Sequence, residues 1–573
     1  MLAMSRPLRI GNASGFYGDR FSAVREMLEG GPLDVLTGDY LAELTMLILG
    51  RGKMKDPDAG YATTFLRQME ECLGLAAERG TKIVTNAGGL NPRGLAAKLR
   101  ELADRLGVAV EVAHVEGDDL LARVDELGLA SARHGRPLTA NAYLGAWGIA
   151  ECLRGGADVV VTGRVTDASL VVGPAAAHFG WARDDWDALA GATVAGHVLE
   201  CGAQATGGNY AFFQEIYNVK APGFPLAEIG ADGSSVITKH DGTGGAVTDE
   251  TVTAQLLYEI GGPYYAGPDV TTRFDTIELR GVGRDRVSIS GVRGAPPPPS
   301  TKVCLNHLGG HRNEMTFVLT GLDIEAKADF VKAQMDVAFG EDRPARVEWT
   351  LLGNPAPAPA TQGEATVLLR CAVLDPDPAK VGRGFSGAAV EMALAGYPGF
   401  TMTSPPGKGS PYGVYSPAFV PNEEIEHVAV LPDGTRVPIE GPSATRALPT
   451  DEAVRRDEGA VGGATVRAPL GRVAGARSGD KGGDANIGVW ARTDLQWRWL
   501  EPFLTVERLH ELMPETRAHT VTRHVLPNLR AVNFVVEGLL QEGVSASTRF
   551  DPQGKALGEW LRSCLVDVPE AVL

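Results

Sequence analysis

TKIVTNAGGLNPRGLAAKLRELADRLG, residues 81–107, is the stretch whose reading decides the fold. A short apolar run ends in small polar residues and is followed by leucines at helical spacing: Leu95, Leu99, Leu102 and Leu106. Asn91 stands where an N-cap belongs, Pro92 in the first turn and Gly107 at the exit. The same strand-then-helix unit recurs around it. LRIGNASG (8–15), LDVLTGDY (33–40), VAVEVAHVEG (108–117) and ADVVVTGRVTD (157–167) are the other apolar runs. Helical patterns lie between them: Phe65, Met69, Cys72 or Leu73, and Ala76 form one stripe, and a further helix is predicted from about Asn141 to Leu153. Apolar strands alternating with amphipathic helices predict a parallel sheet covered on both faces.

In such sheets ligands sit beyond the carboxyl ends of the strands. Those ends carry Asn12, Ser14, Thr37, Asp39, Asn86, Asn91, Arg164 and Asp167. Any one of them is an ordinary turn or cap residue, but five such ends on one rim predict a pocket along it. From about 200 to 450 the pattern changes to hairpin signals such as PLAEIGADGSSVITK (225–239), proline runs (296–299 and 354–360) and one isolated helix signal, TDETVTAQLLYEI (248–260). This part reads as an α+β extension of the sheet domain. Residues from about 448 to 467 read as a linker. The last stretch, 467–573, reads as a small α+β domain on one antiparallel sheet.

The chain has 573 residues, enough for two to four domains. Gly 72 and Pro 36 together stay below the ~25–30% of low-complexity chains. Lys+Arg 54 against Asp+Glu 71 gives a net charge of −17, which argues against nucleic acid as a partner. No apolar run approaches the ~18–20 residues of a membrane span, and the opening MLAMSRPLRI lacks a signal peptide's apolar stretch. Six cysteines without a close pair or CxxC suit a reducing compartment rather than a disulfide frame or zinc site. A cytoplasmic location is the expectation.

Four segments could carry chemistry. Gly475-Ala-Arg-Ser-Gly-Asp-Lys-Gly-Gly-Asp-Ala-Asn486 has four glycines, the cations Arg477 and Lys481, and the polar side chains of Ser478, Asp480, Asp484 and Asn486. It reads as a functional glycine loop with no part in core packing, in which Lys481 holds an anion or acts as a base and Asp480 orients it. Lys239-His-Asp-Gly-Thr-Gly-Gly245 precedes a helix. Amides at Gly242, Thr243 and Gly244 could hold an anion there, or the segment could be a tight turn with Thr248 as N-cap. It lacks a P-loop ending, so an ATPase is rejected. His240 beside Asp241 is a candidate acid/base pair. In Glu200–Asn209 the lone Cys201 is more often a buried structural thiol than a nucleophile. In Thr162–Ser169, Arg164 suits carboxylate or phosphate, with Asp167 its partner or a base. Gly11–Gly18 does not fit GxGxxG, so a nicotinamide cofactor has little support. His307 and His311 are spaced i, i+4, but Gly309-Gly310 makes a helical ligand pair doubtful, and no metal is assigned.

The stretches IGNASGFYGD, LTGDYLAELTM, TNAGGLNP, VTGRVTDASL, ECGAQATGGN, KHDGTGGAVT, PDVTTRF, DRVSISG and GARSGDKGGDANIG together resemble the acyclic terpene utilisation (AtuA) family. The resemblance covers almost the whole chain. It implies a large N-terminal α/β domain over 1–450 and a C-terminal domain of ferredoxin-like fold. It also implies a place beside acyl-CoA carboxylases, hydratases and dehydrogenases that degrade branched and terpenoid acids such as citronellic and geranic acid. It supplies no assigned catalytic residue.

The expectation from residues and resemblance is an enzyme with lyase- or hydratase-like chemistry on an acyl-CoA or carboxylate. Asp480, Lys481 and Asp167 are its candidate catalytic residues. Asn12, Ser14, Asp39, Asn86, Arg164, Gly242, Thr243, Gly244, Arg477, Ser478 and Asn486 are the candidate substrate-binding residues. No cofactor is implied beyond coenzyme A as part of the substrate, and a homo-oligomer is expected. The alternative is a non-catalytic acyl-CoA-binding or scaffolding subunit. A nucleotide-dependent enzyme is a third reading.

Overall fold

The computed structural model describes residues 6–449 and 461–573. Strands β1 (Leu8–Asn12), β2 (Val35–Gly38), β3 (Lys82–Thr85), β4 (Val112–Glu116), β5 (Thr139–Ala142) and β6 (Val159–Val161) follow one another in the chain. Five of them stand side by side in the order β1-β2-β3-β6-β4, all parallel. β5 lies where a helix was expected from Asn141. It leaves this sheet to pair with residues 303–306, and the helix starts only at Trp147. The extension adds strands to the same sheet. The hairpin β7 (Pro225–Ile229) and β8 (Ser235–Lys239) continues it beyond β1, and the whole sheet reaches eleven strands.

The helix after β3 shows how the local signals act. It spans Pro92–Leu106, Asn91 Oδ1 accepts from Gly94 N at 2.9 Å, and Gly107 ends it in the left-handed region at φ 67°. Leu95, Leu99 and Leu102 are buried on one stripe, each stabilising the fold by about 1.5–3 kcal/mol. With Ala23–Gly30 and Thr63–Arg79 this helix covers one face of the sheet; Trp147–Arg154, Ser169–Phe179 and Trp186–Leu199 cover the other. The chain therefore leaves β3 toward one face and its neighbour β6 toward the opposite face. Strand ends that part in this way open a crevice at their carboxyl side.

A second sheet holds Arg346–Leu352, Thr366–Asp375, the 21-residue strand Ser300–Thr320 and Ser410–Pro421. His307 and His311 both lie on the long strand, not on a helix, and no group of three metal-ligating side chains occurs among the described residues. No described helix is long and apolar enough to cross a membrane.

In the tail, Ala474–Lys481 and Asp484–Ala491 form a hairpin, extended by Ala531–Val536 and Val521–Leu526 into one antiparallel sheet. From Asp484 onward the order strand, helix, strand, strand, helix, strand is that of a ferredoxin-like domain. The last strand, Leu565–Pro569, pairs with Thr465–Pro469 instead of joining the sheet, and Ala474–Lys481 takes the edge position beside Asp484–Ala491. Of the expected linker, residues 450–460 lie outside the described residues, and 465–467 are already strand.

The glycine-rich segment 475–486 is thus a hairpin and not a loop, and it does pack. Ala474, Ala476 and Ala485 belong to the tail core. A Cβ at Gly475 would stand 2.2 Å from the Trp490 ring, and one at Gly479 2.4 Å from the Tyr258 ring. Gly475 and Gly479 make room for aromatic rings, and Gly482 (φ 69°) with Gly483 forms the turn.

Candidate active site

The crevice between the ends of β3 and β6 is held by a chain of polar contacts. Asn86 receives the Tyr40 amide at 2.7 Å and donates to Asp39 at 2.6 Å. Across the gap, Arg164 forms an ion pair with Asp167 at 2.6 Å and donates to the Leu41 carbonyl at 3.2 Å. Its backbone amide donates to the buried Asp118. Asn12 donates to the carbonyls of Leu199 (2.6 Å) and Glu200 (3.3 Å), which sets where Glu200 stands. Ser14 is buried, donates to the Phe16 carbonyl and accepts the Asp39 amide on its own carbonyl. Asn12 and Ser14 therefore shape the rim, while Asp39, Arg164, Asp167 and Glu200 supply its ionisable groups.

The tail hairpin closes the crevice from the other side. Lys481 Nζ donates to the Glu259 carbonyl at 2.9 Å, and Asn486 receives the Glu259 amide at 2.8 Å. Glu259, just beyond the helix Asp249–Leu256, is thereby held at φ 57°, a left-handed conformation uncommon for glutamate. Lys555 reaches Glu259 at 3.6 Å and Asp480 at 3.8 Å. Arg477 and Lys555 each lie 4.3 Å from the centre of the Tyr258 ring, and Arg477 also donates to Gln204. Ser478 donates to the Lys555 carbonyl and accepts from the Gly558 amide, so it fastens the segment that carries Lys555. Asn486 also bonds Asn533.

A third wall comes from residues that no strand-end motif marked. Tyr143, just after β5, donates to Glu43 at 3.0 Å. Arg164 stacks 4.4 Å and Lys302 4.8 Å from the Tyr143 ring centre, and Lys302 lies 5.7 Å from that of Tyr415. A lysine inside the strand TKVCLN and a glutamate opening a mostly apolar helix were the available signals.

The charges act on one another across this space. Burial, then the neighbouring Asp167, raises Asp39 and Glu200 well above the usual carboxylate range. Burial, then Glu43 and Glu200, does the same to Glu259. Asp480 is pushed up to about 8 by burial and the nearby Glu259. Burial and the second ammonium, Lys302, lower Lys481. Burial would raise Glu43, but Lys302 and Arg164 bring it down. Lys481 keeps exposed surface even though the protein desolvates it strongly. Among the described residues Asp480 Oδ1 and Glu200 Oε2 are buried without a hydrogen-bond partner, which leaves acceptors for a guest.

Other expected residues stand apart from this arrangement. Gly242 and Thr243 are exposed; Thr243 donates to His240 O and accepts from Lys239, and the Gly244 carbonyl accepts from Gly223. With Thr248 capping the next helix, 239–248 is a turn whose bonds run among its own residues and to Gly223, Thr206 and Asp285, and among the described residues none joins Gly242, Thr243 or Gly244 to the cleft. His240 bonds the Met27 carbonyl and packs against Gly30 and Gly31, so it ties down a helix end rather than pairing with Asp241. Burial raises the Cys201 thiol, the reverse of what a nucleophile needs.

The family profile described as acyclic terpene utilisation family protein AtuA matches residues 8–431, and the profile of the AtuA ferredoxin-like domain matches residues 468–567. No curated protein and no solved structure matches the chain. The first profile ends where the rim and the third wall have been supplied, and the second covers the hairpin that closes them. Both profiles taken together, the chain belongs to the acyclic terpene utilisation family AtuA.

Proposed function

We propose that this protein is an enzyme of branched-chain and acyclic terpenoid acid breakdown, with lyase- or hydratase-like chemistry on an acyl-CoA or carboxylate substrate. The observation that carries the reading is Lys481, an amine whose proton is loosened, facing carboxyls that hold theirs. Pairs of titratable groups moved in opposite directions are how one site supplies both a base and an acid near neutral pH. In the elimination direction Lys481 takes the proton α to the substrate carbonyl, the C–O bond at the β carbon breaks, and Asp480 or Glu259 gives its proton to the departing hydroxyl, which leaves as water; addition of water runs the same steps in reverse. Asp167 acts through Arg164, which it pairs, and through the field it sets on Asp39 and Glu200. Coenzyme A enters only as the handle of the substrate.

The test is a panel of branched acyl-CoA esters and free acids, followed by mass spectrometry. Turnover by the wild type and a loss of about 10²–10⁴-fold in Lys481→Ala and Asp480→Ala, with unchanged melting temperature, is the expected result. Full activity in both variants removes the hairpin from the mechanism.

A further inference from the structure

Each cation of the cleft except one has a polar partner. Arg164 holds Asp167, Lys555 holds Glu259 and Asp480, Lys481 holds the Glu259 carbonyl and Arg477 holds Gln204. Lys302 is the exception. Its backbone carbonyl accepts from the Tyr143 amide at 3.0 Å, which fixes the strand, while its ammonium rests against the rings of Tyr143 and Tyr415. Among the described residues no ion pair or hydrogen bond reaches its Nζ.

Two tyrosine faces attract an ammonium and leave its N–H donors unused. The Tyr143 ring is itself held, bonded to Glu43 and stacked by Arg164. The ammonium is therefore presented half-exposed over the Tyr415 ring, against which Gly482 of the hairpin's turn packs. We propose that Lys302 is the seat for a free carboxylate of the ligand, so that the substrate class is an acyl compound carrying one. This rests on the acyl-carboxylate reading above and makes it narrower.

The surroundings choose a carboxylate over a phosphate. Glu43 stands on the same ring as Lys302 and carries its charge at neutral pH. One ammonium beside one carboxylate tolerates a monoanion better than a phosphate near −2. A phosphate site gathers several backbone amides or a guanidinium fork. Here Arg164 is already engaged by Asp167 and the Leu41 carbonyl.

The experiment titrates geranate, citronellate and their neutral amides into the full chain and into Lys302→Met and Lys302→Arg, by calorimetry. The wild type binds each acid more tightly than its amide. Lys302→Met lowers acid affinity at least tenfold and leaves amide affinity unchanged, which also shows that the cleft is folded; Lys302→Arg keeps the preference. No preference in the wild type, an unchanged preference in Lys302→Met, or equal loss of acid and amide would overturn the proposal. The turnover test of Lys481 is separate. If Lys481→Ala abolishes turnover while Lys302→Met keeps the preference, the seat fails and the enzyme reading stands; if Lys302→Met loses the preference while Lys481→Ala keeps full turnover, the seat stands and the hairpin mechanism fails.

Discussion

KHDGTGG at 239–245 and GARSGDKGGDAN at 475–486 look alike in the sequence: glycine-rich, charged, without large apolar residues. They fold into opposite things. In the first, Gly242 (φ 79°) and Gly245 (φ 78°) turn the chain so that its polar groups bond one another. In the second, Gly475 and Gly479 stand in an extended strand and are there for space, because the rings of Trp490 and Tyr258 press on them, while Gly482 and Gly483 make the turn. A glycine that gives a backbone turn leaves nothing to offer a guest. A glycine that admits a ring lets two domains meet closely, and the meeting brings Lys481 onto the Glu259 carbonyl and Asp480 beside Lys555.

The largest effect that can break this comparison is Gly479→Val. Its new side chain collides with the ring on which Arg477 and Lys555 rest. Overpacking of this kind costs about 1–3 kcal/mol, and withdrawal of the hairpin should abolish turnover. Chemical denaturation with an activity assay checks both. A tolerated Gly479→Val with full turnover would mean that the close approach is incidental.

A smaller effect sharpens the hairpin's electrostatic role. Asp480 holds its proton up to about 8 in the fold against 3.8 for a free aspartate. A raised folded value contributes stability that is complete below about pH 4 and is lost as pH rises through about 8. Asp480→Asn has no such proton to lose, so its stability should fall less than the wild type's between those pH values. Parallel stability curves for the two proteins would contradict the burial assigned to Asp480.

Smallest is Gly242→Ala. Nothing lies within 4 Å of the new Cβ, so the cost is the left-handed backbone alone, about 1 kcal/mol. Turnover should be unchanged. A loss of turnover at constant stability would return 242–244 to the site.

The sheet was legible because its signals are local. Asn91, Pro92 and Gly107 mark one helix completely, and apolar runs ending in Asn12, Asp39, Asn86 and Arg164 mark the rim. β5 was not legible: Thr-Ala-Asn-Ala has no strand pattern, and its conformation comes from pairing with residues 303–306, far along the chain. The same holds for the site. Asp167, Asp480 and Lys481 sit in polar segments that draw attention. Glu43, Tyr143, Lys302, Tyr415 and Glu259 come from helices and strands of the domain whose spatial order no local pattern records. The hairpin reads as a loop in the sequence, because six of the twelve residues 475–486 are glycine or alanine and no apolar alternation shows.

The central claim is that the rim of the parallel sheet and the tail hairpin enclose one guest. A crystal structure of the protein soaked with geranate tests it most directly. The account predicts density in the cleft, with Lys481 on one side of the molecule and side chains of the N-terminal domain, Lys302 among them, on the other. Density confined to the outer surface, or touching only one of the two domains, would contradict it.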